Sequence, residues 1–319
     1  MESVIAFGNE NLIVLCVITV AILVISIVYQ TKTRRRKELV GYVSALNVFP
    51  VKSCKGMPLN SAEVTNLGIK HDRQFVLVNK FGTFMTLRRY PKLVLINQKI
   101  TEDEIVLQVD GMPLLKLPLF MTEGEFSREI KVFRKSAVGV HVSQEADDWF
   151  AEYLNVKGCQ LFCFQLGGKP RFSDDNNVKV ANYSNENDTL MFADSCPILL
   201  MSEGTLAELN LSLDSKVDVS RFRPNIVVTK CMPHAEDKWG LIQIGETHLQ
   251  GLYPCPRCVA VAVDNSTAEL DKNVLPTILR VSPASDDYPI LKGEAVLGFN
   301  YGVRKQGEIR VGDPVYKLI

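Results

Sequence analysis

The chain has 319 residues, 46% of them apolar and 23% charged, and its 36 basic and 36 acidic side chains give a formal net charge of zero. Such a balance excludes a basic nucleic-acid binder and leaves room for two subdomains or one large α+β body. The eight cysteines, at 16, 54, 159, 163, 196, 231, 255 and 258, are too sparse for a disulfide scaffold and fit a chain kept reduced, with metal or catalytic duty open.

Residues 1–11 form a short tail, and Leu12 to Tyr29 reads LIVLCVITVAILVISIVY, apolar throughout and without a charge. About 20 such residues span a bilayer as a helix, so a transmembrane anchor is predicted over 12–30. A cleaved secretory signal needs a basic segment before its apolar core. Here Glu2 and Glu10 precede it, and the basic cluster Lys32 to Lys37, within a linker over 31–40, follows it. The positive-inside rule then leaves the rest of the chain on the cytosolic side.

From Gly41 the pattern becomes β-like. Residues 41–51, 73–79, 92–100 and 104–110 are β-branched or alternating and are punctuated by Gly, Pro, Asn and Asp. Over 143–156 the period changes: Ala146, Trp149, Phe150, Tyr153 and Leu154 share one helical face, with Ser143 at the start. Residues 167–189 are polar and aperiodic and read as a long loop or junction. A helix capped by Ser202 is expected over 202–213. Strands are expected over 224–229, 241–252, 258–264 and 307–318, the last carrying a Gly312-Asp313 turn. With no repeat and no βαβ alternation, the expected fold is α+β and mainly β, barrel-like rather than doubly wound. Its subdomains are placed at 41–172 and 173–319.

The segment GLYPCPRCVA, residues 251–260, holds two cysteines in a C-x-x-C spacing. By itself this pair is a weak signal. Upstream, Cys231-x-x-His234 supplies two more potential ligands, and Cys231, His234, Cys255 and Cys258 together could wrap a tetrahedral zinc. A thioredoxin-like dithiol belongs at the start of a helix, whereas CVAVAVD reads as a strand. A single soft thiolate for a redox metal stays open beside the zinc clasp, and Arg257 beside Cys258 would favour its ionised form.

The neighbouring motifs bear on that choice. YPCPRCVAVAVDNST, SRFRPNIVV (220–228), ADSCPILLMSEGTLAELN (193–210), VFPVKSCKG (48–56) and the terminal VGDPVY together resemble the MOSC family, the molybdenum cofactor sulfurase C-terminal type of domain. Within it they are closest to the mitochondrial amidoxime-reducing branch, over essentially the whole chain. The resemblance implies a barrel-like MOSC domain preceded by an N-terminal β-barrel-like subdomain, and a bound molybdenum-molybdopterin cofactor (Moco). It makes Cys258 the thiolate ligand of molybdenum and leaves Cys255 and Cys231 off the metal. It places Lys52, Ser53, Arg73, Arg223, Asn225, Pro256, Arg257 and Tyr301 at cofactor-contact positions, with Asp194, Ser195 and Cys196 beside them.

Each assignment has a plainer competitor. Any one of the cations taken alone reads as a surface ion pair, Tyr301 equally as core packing, and Asp194 as a turn aspartate. Arg73 and Arg223 sit among apolar residues, where an unpaired charge is costly, so an anion or a buried carboxylate is expected there. Two departures from the family pattern stand out: Cys196 occupies a hydroxyl position, and Pro256 replaces a small hydroxyl residue between the cysteines.

By the same resemblance the chain is an enzyme that reduces N-hydroxylated compounds (amidoximes, hydroxylamines, N-hydroxyguanidines and hydroxamic acids), with Cys258 and Asp194 as catalytic residues. The sequence lacks a dinucleotide fingerprint and a haem or iron–sulfur cysteine run, so the electrons come from outside. The resemblance names cytochrome b5 and NADH-cytochrome b5 reductase as donors and the mitochondrial outer membrane as the location. An endoplasmic reticulum anchor would look much the same. A persulfide sulfur carrier on Cys258 and a zinc-stabilised binding module remain as alternatives.

Overall fold

The computed structural model describes residues 36–319 except 122, 134, 166, 169 and 173–187, and, nearer the start, Leu15 and residues 18–20. The predicted span 12–30 therefore lies almost wholly outside the described residues. Leu15 and residues 18–20 are helical, and no helix among the described residues is long and apolar enough to cross a membrane.

Seven strands close into a barrel. In order around it they are Ile226–Thr229, Ile198–Ser202, Val296–Lys305, Thr247–Pro256, Leu241–Ile244, Pro314–Leu318 and Lys37–Val48, the last pairing back onto the first. Closure rests on the antiparallel register Tyr42↔Thr229 to Leu46↔Ile226, with a shift between Val43 and Ala45. The Ile198–Ser202 and Ile226–Thr229 strands run parallel. Alternation turns Leu46, Val48, Ile226, Val228, Ile242, Ile244 and Val315 inward onto Leu249, Phe299 and Tyr301. A closed sheet of this kind fills its interior with side chains and leaves no edge unpaired within the ring.

A second core lies alongside. The strand Phe75–Val78 pairs with Gln160–Phe164, which pairs with Lys135–His141, which pairs with Ser127–Val132. A meander of Asn97–Ile100, Glu104–Gln108 and Leu115–Pro118 adds three more strands. In it Ile105, Leu107, Leu115 and Leu117 are buried while their neighbours face outward, as a half-buried sheet requires. The helix Gln144–Leu154 buries Ala146, Trp149 and Phe150 against this core. Ser143 caps it, its side chain accepting from the Ala146 amide, and Asn155 ends it in the left-handed conformation. Both cores belong to one compact unit, Leu39–Lys317.

The structure departs from the sequence expectations in three places. Residues 92–100 are not one strand: Pro91–Leu95 is a 3₁₀ turn, and only Asn97–Ile100 is extended. Pro91 pre-sets the turn. Residues 258–264 are not a strand either, because Val259–Ala262 form a 3₁₀ turn with Val261 N bonded to the Cys258 carbonyl. The small residues Ala260 and Ala262 let this turn pack tightly, and Val261 and Ala262 are buried side by side rather than on opposite faces. Finally, 241–252 is not one strand but Leu241–Ile244 and the start of Thr247–Pro256, whereas the turn expected at Gly312-Asp313 does divide Gly307–Arg310 from Pro314–Leu318, with Gly312 at φ 93°. Only a glycine takes that conformation freely.

Candidate active site

A cavity of about 420 Å³ opens between the two cores. All the residues to which the sequence reading assigned a cofactor or catalytic role line it, with one exception. Tyr301 points into the barrel core, is fully buried, and donates its hydroxyl to the Glu236 carbonyl at 3.0 Å. Its strand neighbour Asn300 lines the cavity instead.

Four chain segments contribute much of the wall. The chain leaves the barrel after Val48 and passes Phe49 to Ser53, held by the bond from Lys52 N to the Phe75 carbonyl at 2.8 Å. The segment Ala193–Cys196 leads into the Ile198–Ser202 strand. A 3₁₀ turn, Val219–Phe222, capped by Asp218, presents Arg221, Phe222 and Arg223. The end of the Thr247–Pro256 strand and the following turn deliver Cys255 to Cys258. Ser53, Arg73 and Arg223 all have left-handed backbones, at φ 74°, 49° and 57°. Non-glycine residues in that region are costly and gather where the surroundings over-determine them, commonly at ligand sites.

The charges on one wall are dense. Lys52 is almost fully buried and donates to the Phe192 carbonyl at 2.8 Å and to the Asp194 carboxylate. Burial lowers the Lys52 ammonium below its ordinary value, partly offset by Asp194. For Asp194 burial works toward a higher value, but Lys52, Arg73 and Arg171 outweigh it and hold the carboxyl below the usual 3.8. The Asp194 side chain is 62% exposed, and that surface faces into the cavity. Arg73 is ion-paired with Asp72 and reaches Asn225 Oδ1 and the Arg223 carbonyl, each at 3.3 Å.

The Arg73 and Arg223 guanidiniums both lie over the Phe49 ring, at 4.2 and 4.4 Å from its centroid. Arg223 has no side-chain hydrogen bond to another described residue. Burial, then repulsion from Arg73, brings its guanidinium down to about 10. The aromatic face softens the crowding of two cations, and an anion would relieve it further.

The opposite wall carries sulfur. Cys258 is exposed to the cavity, while burial raises the Cys255 thiol above its ordinary value. Cys196 donates to the Tyr253 hydroxyl at 3.2 Å. Arg257, beside Cys258, lines the same cavity. Its Nε and Nη1 donate to the Leu297 and Phe222 carbonyls at 2.8 and 2.9 Å, so it ties strand to turn. Phe84, Leu87 and Phe133 form an apolar side on one face, and Ile290 and Leu291 on another.

Sequence reasoning missed Arg171, which is buried and donates to the Ala193 carbonyl at 2.8 Å, fixing the segment that carries Asp194. It also missed Asn300. Strict alternation along GFNYG would have found it, because a strand cannot aim Asn300 and Tyr301 the same way.

The zinc clasp does not assemble. Among the described residues no group of three or more His, Cys, Asp or Glu is arranged to hold a metal ion. His234 faces Glu208 and Asp237 at 3.3 and 3.7 Å, and Cys231 lies near Glu236, where burial raises its thiol to about 11.

The donor set suits a molybdopterin. Such a group needs a soft ligand for its metal, cations for its phosphate and N–H donors for its ring. Cys258, the Lys52–Arg73–Arg223 cluster, and the N–H groups of Asn300 and Arg221 meet those needs in one cavity. Its volume is within the range of ordinary ligand sites, about 300–1,000 Å³.

Residues 40–157 match the MOSC N-terminal beta barrel domain, and residues 187–316 match the MOSC domain. Mitochondrial amidoxime reducing component 2 of Bos taurus is 34% identical over 299 residues, covering 90% of this chain and 86% of that protein. The Homo sapiens component 2 is 32% identical over 294 residues, covering 90% and 87%. Homo sapiens component 1 is 32% identical over 296 residues, covering 91% and 87%. With both domains in order and similarity along nine-tenths of its length, the chain belongs to the MOSC family of the mitochondrial amidoxime reducing components.

Proposed function

We propose that this protein is a molybdenum-cofactor-dependent reductase of N-hydroxylated small molecules. The observation that carries the reading is the convergence, in one cavity, of the Cys258 thiol and the Lys52–Arg73–Arg223 cluster. One suits a soft redox metal, the other a pterin phosphate. When bound, the cofactor supplies the two-electron chemistry that removes oxygen from an N–O group.

The chain's own residues hold, orient and exclude. Lys52, Ser53, Arg73, Arg223 and Asn225 would seat the anionic end, and Cys258 would ligate the metal. Asp194 is kept ionised by Lys52, so it accepts a hydrogen bond from the N–OH or N–H of a substrate and orients it rather than protonating it. The Lys52 ammonium, eased toward deprotonation by burial, is the proton donor within reach of that pair. Phe84, Leu87 and Phe133 keep water from the side of the cavity they cover.

Electrons arrive from outside, with cytochrome b5 and its NADH-dependent reductase as the donors. Residues 12–30 tether the protein to the mitochondrial outer membrane, the body at 41–172 and 173–319 facing the cytosol. Confinement to one surface raises the effective concentration of the partners.

The test is metal analysis of the full chain from a molybdopterin-producing host, wild type and Cys258→Ser. Near-stoichiometric molybdenum, lost in the variant, together with turnover of an amidoxime under a chemical reductant, supports the reading. Zinc in place of molybdenum sinks it. The presence of Cys196, Cys255 and Cys258 in one cavity keeps a sulfur-carrier reading in play. That reading predicts a persulfide on Cys258 by mass spectrometry and function without molybdenum.

A further inference from the structure

We propose that Phe84 and Phe133 form an aryl subsite of this cavity, selecting N-hydroxylated substrates that carry an aromatic ring beside the N–O group. The inference rests on the reductase reading above and names the substrate body that this chain prefers.

Phe133 stands where its residue type is out of place. Val132 pairs with Lys135, so the connection between their strands is two residues long and Phe133 is the first of them. Its backbone is left-handed, at φ 57°. Short hairpin connections favour Asn, Asp or Gly where φ is positive, and a bulky ring there is an outlier. Burial does not repay it. Phe84 packs onto the core beneath the hairpin, whereas Phe133 stays 40% exposed. Residues held in such conformations gather at ligand sites, and this one lines the cavity.

The two rings form a pair, their centroids 5.2 Å apart and their planes at 61°. An edge-to-face pair with one member exposed offers ring surface to a third aromatic group, and such contacts add to the gain from buried area. On the other apolar side Ile290 and Leu291 supply bulk without ring faces.

Reach sets the kind of ring. The Lys52 ammonium lies 5.4 Å from the Phe84 centroid and is ion-paired with Asp194. The aromatic side therefore begins one side chain away from the carboxylate assigned to the substrate head. A ring bonded directly to the carbon of the N–O group spans that gap, and a long flexible spacer carries the ring past it.

The test is equilibrium binding of a phenyl- and a cyclohexyl-substituted amidoxime to the full chain, measured by calorimetry without reductant. Wild type should favour the phenyl compound about fivefold. Phe133→Tyr keeps the ring and should keep the preference, whereas Phe133→Leu keeps apolar bulk and should lose it. Phe133→Gly suits the left-handed backbone, so it should melt within a few degrees of wild type and lose the preference too.

A preference that survives in both Phe133→Leu and Phe133→Gly, or is absent from a molybdenum-loaded wild type, overturns the subsite and leaves the reductase reading intact. A wild type that takes up no molybdenum yet favours the phenyl compound keeps the subsite and overturns that reading. One that takes up no molybdenum and binds neither compound overturns both.

Discussion

Replacing Lys52 by methionine tests the electrostatic account of the cavity wall most directly. The substitution keeps the stem and removes the ammonium, leaving the Phe192 carbonyl without its 2.8 Å donor and Asp194 without its partner. Breaking a fully buried pair from one side costs about 3–5 kcal/mol. Because 62% of the Asp194 side chain faces the open cavity, solvent screens part of that loss. Relief of repulsion with Arg171 and Arg73 offsets a little more. The expected net destabilisation at pH 7 is about 2 kcal/mol, read as a lower urea midpoint at unchanged slope.

Combined with Asp194→Asn, the cycle should show a coupling of about 1 kcal/mol. The pH dependence gives a second check. Asp194 has a folded value below its ordinary 3.8, so its contribution is complete above 3.8 and is lost as pH falls through the lower folded value. Lys52→Met should flatten that acid limb. A variant as stable as wild type, with no coupling and an unchanged acid limb, would refute the reasoning.

Other outcomes follow from the same geometry. Arg257→Lys cannot reproduce the fork that reaches the Leu297 and Phe222 carbonyls, so calorimetry should show a melting temperature lower by several degrees, about 1–3 kcal/mol. Glu236 is buried, and burial raises its carboxyl above the ordinary 4.5, so its ionisation weakens the fold as pH climbs past 4.5. Glu236→Gln keeps an acceptor for Ser202 N, and its stability relative to wild type, followed by urea titration, should improve from pH 4.5 upward and level off once the folded Glu236 carboxyl is ionised. Treatment with EDTA should leave the melting temperature unchanged, since Cys231 and His234 are not gathered with Cys255 and Cys258.

Much of this architecture could be read from local pattern. Alternating runs marked the strand from Gly41 onward and the Glu104–Gln108 strand, and Ser143 and Ser202 marked two helix starts whose caps form as expected. The turn at Val259–Ala262 escaped because a short run of small and β-branched residues has the composition of a strand, and only tertiary packing makes it a turn. The hairpin Ser127–Val132 with Lys135–His141 and the long Val296–Lys305 strand were missed, the latter because burial of nearly every residue erases its alternation.

For the site, motif resemblance found the charged and sulfur-bearing residues that the structure brings together. It did not find Arg171, whose role depends on carbonyls of Met191 and Ala193 twenty or more residues away. It chose Tyr301 over Asn300, a distinction that turns on which face of one strand looks into the barrel.

The closing seam of the barrel also dictates when the molecule can finish folding. Tyr42 waits for Thr229, and the strand beside it on the other side is Pro314–Leu318, at the opposite end of the chain. At about 5–20 residues per second, ribosomal synthesis needs roughly 10–40 s to pass from Tyr42 to Thr229. Throughout that interval the Lys37–Val48 segment, apart from Leu46–Val48 which pairs with the nearby Met57–Leu59, has emerged without its barrel partners, a template for any other extended chain nearby. The nascent protein is therefore most in need of a chaperone's shelter at its beginning, and that need ends only when its last strand is made.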